Sequence, residues 1–158
     1  MGDRTWPLQW FDWREGDGCP MCAGGRVDED EWGARFHAGE FGDASLQRRP
    51  QAPGYTVVKF HRRHVADPID LTDEELAGFW ADVRTAGSLI RAVFEPCHLN
   101  YQLLGNAVPH THVHLVPRYD DDTAPGGPLP FRSEEKLTPL APDEFQRQVE
   151  QLRTAAAG

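Results

Sequence analysis

The sequence has 158 residues, of which 26% are charged, and its formal net charge at pH 7 is −9. This length suffices for one domain with a substantial buried core, so a single domain over residues 1–158 is predicted. The acidic balance and the lack of a run of Lys or Arg argue against long nucleic acid as the main partner, whereas a small phosphorylated ligand can still bind in a locally electropositive pocket.

The composition also indicates a compartment. The opening stretch MGDRTWPLQWFDW lacks the basic and apolar regions of a secretory signal, and no stretch approaches the roughly 20 apolar residues of a membrane-spanning helix. A soluble, cytoplasmic protein without a membrane partner is therefore predicted. The three cysteines make a poor disulfide framework, and reduced thiols fit better.

The first part of the chain is predicted to contain two strands. Residues 1–25 form an irregular lead-in, and its tryptophans predict that it packs onto the body of the domain. Residues 32–41 (WGARFHAGEF) are predicted as the first strand. Residues 42–54 (GDASLQRRPQAPG) are predicted as a loop because of their Gly, Pro and polar content, and residues 55–60 (YTVVKF) as a strand because of their β-branched and aromatic content.

The clearest helix follows. Thr72 and Glu75 have the spacing of a capping box, and apolar residues recur at near-helical spacing until Pro96 forbids continuation. The pattern predicts one amphipathic helix over residues 72–94. The apolar residues that define it are Leu76, Phe79, Trp80, Val83 and Ile90.

The last part of the chain is predicted to contain two adjacent strands and a helix. Residues 97–104 and 110–116 both alternate in polarity, and a short Gly-Asn connection between them predicts an antiparallel pair. Residues 143–157 are predicted as a C-terminal helix with one apolar face, formed by Phe145, Val149 and Leu152. Strands and helices do not alternate strictly, so the predicted fold class is α+β with an antiparallel sheet.

Three of the seven histidines stand at every second position of the stretch PHTHVHLVPRY. Successive side chains of a strand point to opposite faces, and positions i and i+2 lie roughly 6.5 to 7 Å apart. His110, His112 and His114 therefore share one face. Their neighbours on the other face, Thr111, Val113 and Leu115, are predicted to meet the core.

Three interpretations of the histidine face are compatible with the residues alone. The histidines can be exposed polar residues of an amphipathic strand. They can ligate zinc together with distant residues. They can also act in phosphoryl chemistry, because imidazole has an unperturbed pKa near 6.5 and keeps a free nitrogen at neutral pH.

The stretch HTHVHLVPRY resembles the signature of the histidine triad (HIT) family, including the Pro-Arg of its hydrolase-like members. Three further stretches occur in the family's order: a CxxC near the N-terminus, QAPGYTVV, which resembles the family's P-x-x-P-G-H-hydrophobic strand, and RRHVADPIDLTDEEL, which resembles the entry to its long helix. Together they cover most of residues 19–118. The resemblance implies a HIT-type α+β fold and a homodimer.

The resemblance also implies an activity. Members of the family bind nucleotides and act on the α-phosphate of nucleoside conjugates, which include dinucleoside polyphosphates and nucleoside phosphoramidates. By this matching His112 is the nucleophile that forms a nucleotidyl-histidine intermediate, which water or another acceptor resolves. His114 is expected to touch the phosphate oxygens or the leaving group, and His110 to support the phosphate site.

Cys19 and Cys22 have the spacing of half a zinc site, although CxxC alone fits a redox pair or an incidental match equally well. The resemblance implies that His64 and His110 complete the site, and His61 is a competing ligand. Four protein ligands leave no open position for water, so a structural zinc is the expected cofactor.

The resemblance extends to the binding of the nucleotide and also has a departure. It implies that Asn100 and Asn106 lie around the phosphate and that Gln47 lies near the ribose. Ala107 stands where a hydroxyl residue is common, which puts the preferred leaving group in doubt. Two alternatives therefore stay open: a nucleotide-binding module with little turnover, and a metal hydrolase in which the histidine cluster ligates a catalytic zinc.

Overall fold

The computed structural model describes residues 5–158, so the first four residues of the predicted lead-in lie outside the described part of the chain. The strands in chain order are β1 (Gly33–Ala38), β2 (Gly42–Gln47), β3 (Thr56–Phe60), β4 (His98–Gln102) and β5 (His112–Arg118). The α-helices are α1 (Leu8–Arg14), α2 (Pro20–Ala23), α3 (Asp73–Phe94) and α4 (Pro142–Ala157). Over residues 5–158, none of these helices combines the length and the apolar content needed to span a bilayer.

The five strands form one sheet in the order β1-β2-β3-β5-β4, and all neighbouring strands are antiparallel. Helices α3 and α4 pack against one face of this sheet and against each other, and the hydrophobic core lies between them and the strands. The other face carries the histidine side chains of β5. The predicted α+β class with an antiparallel sheet is confirmed.

The second strand corrects the prediction of a loop over residues 42–54. Residues 42–47 form β2, which pairs with β1 on one side and β3 on the other. Ala44 and Leu46 are fully buried, and a Cβ on Gly42 would lie 2.9 Å from the Phe79 ring. The loop prediction was wrong because Gly and polar residues are usual turn signals, whereas here Gly42 lets α3 approach the sheet closely.

Helix α3 matches the prediction over residues 72–94, with Thr72 as its N-cap. The Glu75 amide donates to Thr72 Oγ1 over 3.2 Å, and the Thr72 amide donates to Glu75 Oε2 over 2.9 Å, which completes the capping box. The helix ends where Glu95 takes a left-handed conformation (φ 51°) before Pro96. Its core-facing residues include Phe79, Val83 and Ile90.

The predicted pairing of the last two strands is also confirmed, with one difference in their connection. Strands β4 and β5 are antiparallel neighbours, but residues 103–111 join them, so the connection is longer than the Gly-Asn turn predicted. Thr111, Val113 and Leu115 are buried as predicted. Phe145, Val149 and Leu152 of α4 are buried too.

The lead-in is not wholly irregular, since it contains α1 and α2. It is fixed to the rest of the chain at several points. The Trp10 indole Nε1 donates to the carbonyl of Gly105 over 3.1 Å, and the Lys59 amine donates to the carbonyls of Met21 and Gly25 over 3.2 and 2.6 Å. These bonds join the lead-in to β3 and to the connection before β5.

One carboxylate of α3 holds the turn between β1 and β2. Asp82 is 9% exposed and accepts hydrogen bonds from the amides of Phe41 (2.9 Å) and Gly42 (2.8 Å) and from His37 Nε2 (2.9 Å). A Cβ on Gly39 would lie 2.2 Å from Asp82 Oδ1, so only glycine fits at that position.

Substitution Asp82→Ala is expected to lower the free energy of unfolding by about 2 to 4 kcal/mol, because it leaves two buried backbone amides without acceptors. Urea denaturation measures this change. The control is Arg84→Ala, an exposed substitution on the same helix that should stay within about 0.5 kcal/mol of the wild type. A loss below about 1 kcal/mol for Asp82→Ala would contradict the role of this carboxylate.

Candidate active site and metal-ligand group

The histidine face lies on the side of the sheet away from α3 and α4. In the sheet register, His112 is opposite Lys59 of β3, and His114 lies between Val57 of β3 and Gln102 of β4. His112 is 4% exposed and His114 is partly exposed. The two imidazoles are therefore sheltered from bulk water on a central strand, and the first interpretation of the face as exposed polar residues does not apply to them.

The hydrogen-bond partner of His112 shows which nitrogen of its ring carries the proton. His112 Nδ1 is 2.5 Å from the backbone carbonyl oxygen of His110, and a carbonyl can only accept. Nδ1 therefore carries the proton, and Nε2 keeps its lone pair. Burial lowers the pKa of His112 below its usual 6.5, so the ring is neutral at pH 7. The sequence could not identify this carbonyl, since the contact is a backbone atom.

The same reasoning extends to His114. Its Nε2 lies 3.0 Å from His112 Nε2, which has no proton, so His114 Nε2–H donates. His114 Nδ1 then accepts from the Tyr55 hydroxyl, which is 2.6 Å away. Burial, with a smaller contribution from His112, lowers the pKa of His114 to about 4. The three side chains form one chain of hydrogen bonds with a defined direction.

This low pKa predicts a pH dependence of stability. The folded state binds fewer protons at His114 than the unfolded state, whose pKa is near 6.5, so the stabilisation is complete above pH 6.5 and is lost as the pH falls toward 4. Between pH 8 and pH 5 the free energy of unfolding, measured by urea denaturation, should fall by about 2 kcal/mol less in the His114→Gln variant than in the wild type. The His98→Gln variant, on the exposed edge strand, is the control. If the free energy of unfolding of the wild type and of His114→Gln changed in parallel with pH, the lowered pKa of His114 would be contradicted.

The side chain of His110 belongs to a second group of residues. Its Nδ1 lies 3.6 Å from Cys19 Sγ and 3.5 Å from Cys22 Sγ, and His64 Nδ1 lies 3.4 Å from Cys22 Sγ. The four ligand atoms all lie within 4.8 Å of one another. We call Cys19, Cys22, His64 and His110 the Cys2His2 group.

The Cys2His2 group fits a tetrahedral metal ion. Zinc bond lengths of about 2.3 Å to sulfur and 2.05 Å to nitrogen put neighbouring S and N ligands about 3.6 Å apart, as observed here. His110 Nε2 donates to the Phe60 carbonyl over 2.7 Å, and His64 Nε2 donates to the Arg14 carbonyl over 3.0 Å. Both Nδ1 atoms are thus left unprotonated, as metal ligation requires. These four residues could hold a metal ion.

His61, the competing ligand, is not part of this group. Its Nε2 donates to the carbonyl of Gly39 over 2.9 Å. Within residues 5–158, the Cys2His2 group is the cluster of His, Cys and carboxylate ligands that could hold a metal, and it contains neither His112 nor His114.

Asn100 lies on the histidine face but is already engaged. Its Oδ1 accepts from Arg118 Nη1 over 2.7 Å. Arg118 also donates to both oxygens of Asp122 and to the carbonyls of Ala124 and Gly127, so all five of its N–H groups have partners. This buried guanidinium orders the loop that follows β5.

The other two predicted binding residues are placed differently. Gln47 lies on the histidine face at the end of β2, where its Nε2 donates to the carbonyl of Ser45 over 3.1 Å and its amide donates to the carbonyl of Tyr55. Asn106 is exposed in the connection over residues 103–111 and has no hydrogen bond with the histidines among the described residues. The structure brings Gln47 to the face of the histidines but not Asn106.

Two residues near His114 were missed by the sequence reasoning. Gln102 is opposite His114 in the register, and its position on the face follows only from the pairing of β4 with β5. Tyr55 had a signal, because QAPGYTVV has a tyrosine where the pattern of the family has histidine. Gln102 also lines a groove of about 810 Å³, within the usual range of small-molecule sites, which is formed by β4 and by the loop after β5.

The sheet has five antiparallel strands, a long helix on one face and the alternating histidine side chains on the other. This arrangement defines an α+β protein of the histidine triad class. The profile of the HIT domain matches residues 42–121, half of the chain, and the protein belongs to the HIT family. A crystal structure of a Zn-bound histidine triad family protein from Mycobacterium smegmatis is 28% identical, with a TM-score of 0.64 over 89% of this chain and 94% of that one.

Characterised relatives are similar at low identity. A bis(5'-adenosyl)-triphosphatase from Dictyostelium discoideum is 24% identical over 123 residues, which cover 75% of this chain and 82% of that protein. An AP-4-A phosphorylase from Mycobacterium tuberculosis is 35% identical over 99 residues, which cover 59% of this chain and 50% of that protein. The match thus spans most of the first relative and about half the length of the second.

Proposed function

We propose that this protein is a nucleotide hydrolase or nucleotidyl transferase that acts on the α-phosphate of nucleoside conjugates, with His112 as the nucleophile. The observation that carries the proposal is the hydrogen bond from His112 Nδ1 to the His110 carbonyl. It leaves Nε2 unprotonated on a neutral ring, which is the form that attacks phosphorus.

The reaction has two displacements. His112 Nε2 donates its lone pair to the α-phosphorus while the bond from phosphorus to the leaving oxygen, or to the leaving nitrogen of a phosphoramidate, breaks, and the leaving group departs with that electron pair. Water or another acceptor oxygen then attacks the phosphorus, the N–P bond breaks, its electron pair returns to Nε2, and the proton of the acceptor passes to solvent. The His110 carbonyl stabilises the positive charge that His112 carries in the intermediate, because a hydrogen bond from a charged donor is stronger.

His114 is the proposed donor to the phosphate. Its Nε2–H points at His112 Nε2 in the free protein, and a phosphoryl group bound at His112 would lie between the two nitrogens. The proton would then face an oxygen of the phosphate or of the leaving group, where a donor stabilises the developing charge. Asn100 and Gln102, which flank this end of the face, and Gln47 on β2 are proposed to bind the remainder of the nucleotide. Asn106 would need the loop over residues 103–111 to move inward.

The Cys2His2 group is proposed as a structural zinc site. Four protein ligands leave no open coordination position, so bound zinc would cross-link the lead-in to His64 and to His110, just before β5, instead of activating water. His112 and His114 lie outside the group, which disfavours a metal hydrolase built on the triad. Two reduced thiols as metal ligands also fit a reducing compartment such as the cytoplasm.

The proposed substrates are dinucleoside polyphosphates. The names of the two relatives, a bis(5'-adenosyl)-triphosphatase and an AP-4-A phosphorylase, both point to this class. Nucleoside phosphoramidates use the same two displacements and are the second group to test. Ala107 is exposed in the connection before β5 and has no hydroxyl that could donate a hydrogen bond to the leaving group. This favours a nucleotide-binding module with little turnover as the second candidate function.

A homodimer is proposed through the edge strand. Among residues 5–158, strand β4 has a strand partner only on its β5 side, and Tyr101, Leu103 and the neighbouring Trp80 are at least 38% exposed. A second copy pairing there would cover both the unpaired backbone groups and the apolar side chains.

The experiment is to trap the intermediate. The protein is incubated with diadenosine polyphosphates or adenosine phosphoramidates, quenched in alkali and analysed by mass spectrometry for an added AMP group, while nucleotide release is followed by chromatography. An adduct on His112 with release of products supports the proposal. Tight nucleotide binding without adduct or products across this panel would overturn it and support the binding module.

A further inference from the structure

The phenol of Tyr55 stands beside the histidine triad at its His114 end. Tyr55 Oη lies 2.6 Å from His114 Nδ1, and the two rings are stacked with their centroids 5.9 Å apart and their planes inclined by 10°. Tyr55 is 6% exposed. This contact is therefore a short hydrogen bond sheltered from bulk water, and the chemistry proposed above assigns no part to it.

We propose that Tyr55 is a positioning residue that holds His114 in its neutral form with the proton on Nε2. The inference rests on the proposed function, since it concerns the donor that the nucleotide would meet. With Nδ1 held by Tyr55, His114 offers a proton, and not a lone pair, to the site.

The direction of the hydrogen bond follows from the partners that the two groups have. Burial and the nearby Glu134 carboxylate both raise the pKa of Tyr55, so the hydroxyl keeps its proton at all ordinary pH values and donates it to His114 Nδ1. Apart from His114 Nδ1, the Tyr55 hydroxyl has no hydrogen-bond partner among residues 5–158. If Nδ1 carried the proton, the hydroxyl would have to accept it, and its own proton would have no acceptor in the described part of the chain.

The two ends of His114 are thus fixed independently. Tyr55 occupies Nδ1, and the unprotonated Nε2 of His112 accepts from Nε2–H at 3.0 Å. The titratable neighbours of the Tyr55–His114 pair are His112 on the same strand and Glu134 from the connection that precedes α4. When a phosphoryl group displaces the contact with His112, Tyr55 still holds the ring and its protonation state.

Tyr55 does not itself pass a proton. Transfer of its proton to His114 would leave a buried phenolate near the Glu134 carboxylate, which both burial and charge disfavour. In Tyr55→Phe we therefore expect His114 to be less firmly positioned and to have a higher pKa. We do not expect the loss of a proton donor to the substrate.

The chain offers a matched control. Tyr119 also donates its hydroxyl to a backbone acceptor, the carbonyl of Pro53, over 2.8 Å, and it has no hydrogen bond with the triad among residues 5–158. Tyr119→Phe removes the same atom and one hydrogen bond. Changes common to both variants would report general loosening of the loops.

The test is a pH titration of the histidine rings by two-bond ¹H–¹⁵N correlation spectroscopy, on the free protein. In the wild type at pH 7 the His114 Nδ1 resonance should be that of an unprotonated, hydrogen-bonded nitrogen. In Tyr55→Phe that resonance should shift, and the pKa of His114 should rise by about one pH unit, because the neutral ring loses a hydrogen bond. Tyr119→Phe should match the wild type in both respects.

Kinetics give the second readout. At pH 7 kcat should fall about tenfold in Tyr55→Phe, with KM changed less than about threefold, and the acid limb of the kcat profile should move up by the same pH interval as the His114 pKa. A protonated Nδ1 in the wild type, or an unchanged His114 titration in folded Tyr55→Phe, would overturn the inference. The titration needs no nucleotide, so a wild type without turnover would refute the proposed function while the role of Tyr55 is still decided.

Discussion

Alanine in place of His112 is expected to lower nucleotide turnover at least about a thousandfold and to abolish the nucleotidyl adduct. Removal of a nucleophile costs more than removal of any positioning contact, because no neighbouring group with a free lone pair takes its place. In the free protein His114 presents a proton to the site, so it does not substitute directly. Turnover is measured with a diadenosine polyphosphate, and the adduct by mass spectrometry.

The control for this variant is a check that its fold, stability and metal content are unchanged. Circular dichroism, thermal unfolding and metal content should remain close to those of the wild type, since His112 is outside the Cys2His2 group. Nucleotide binding, measured by calorimetry, should persist. An intact variant that keeps more than a tenth of the turnover would remove His112 as the nucleophile.

Serine at both Cys19 and Cys22 is expected to remove bound zinc and to lower stability by about 4 kcal/mol, the gain that a ligand at a thousandfold excess over its Kd provides. For a chain of this size the thermal midpoint should fall by about 10 °C. Hydroxyls do not replace thiolates as zinc ligands, so the lead-in loses its cross-link to His64 and His110. Metal content is measured by atomic emission and the midpoint by calorimetry.

Cys97→Ser is the matched control for the zinc variant. Cys97 is an exposed free cysteine outside the Cys2His2 group, so its substitution should leave both metal content and midpoint unchanged. Full retention of zinc by the Cys19→Ser/Cys22→Ser protein would contradict the structural site. It would favour a metal bound by the histidine strand and reopen the metal-hydrolase alternative.

The features that could be predicted from the sequence are those with local causes. The capping box and apolar spacing of α3 lie within one helix, and the alternation in HTHVHLV needs only the geometry of a strand to put His112 and His114 on one face. The two cysteines of the Cys2His2 group could be named because their CxxC spacing is that of half a zinc site, although that spacing alone fits a redox pair equally well. Here the resemblance to the family supplied the two histidines.

The features that were missed depend on residues distant in the chain. Strand β2 was missed because Gly42 packs under Phe79 of α3, a contact that composition does not report. The partners of the imidazoles were missed because one is a backbone carbonyl and the other, Tyr55, comes from a different strand region. Asn100 was predicted at the phosphate, but its side-chain oxygen is held by Arg118, which orders a loop that no sequence pattern described.

The strand order has a consequence for the folding of the chain. The connections within the unit β1-β2-β3 and within the pair β4-β5 are each fewer than ten residues long. The pairing of β3 with β5, by contrast, joins Lys59 to His112 across 53 positions of sequence that include the whole of α3. Closing a loop of this length costs more entropy than forming either local unit, so this pairing is expected to form after them. Lys59, Val57, His112 and His114 all lie along it. The proposed nucleophile and its neighbours would therefore be assembled at the latest step, and partly folded chains would contain both halves of the sheet without an assembled histidine face.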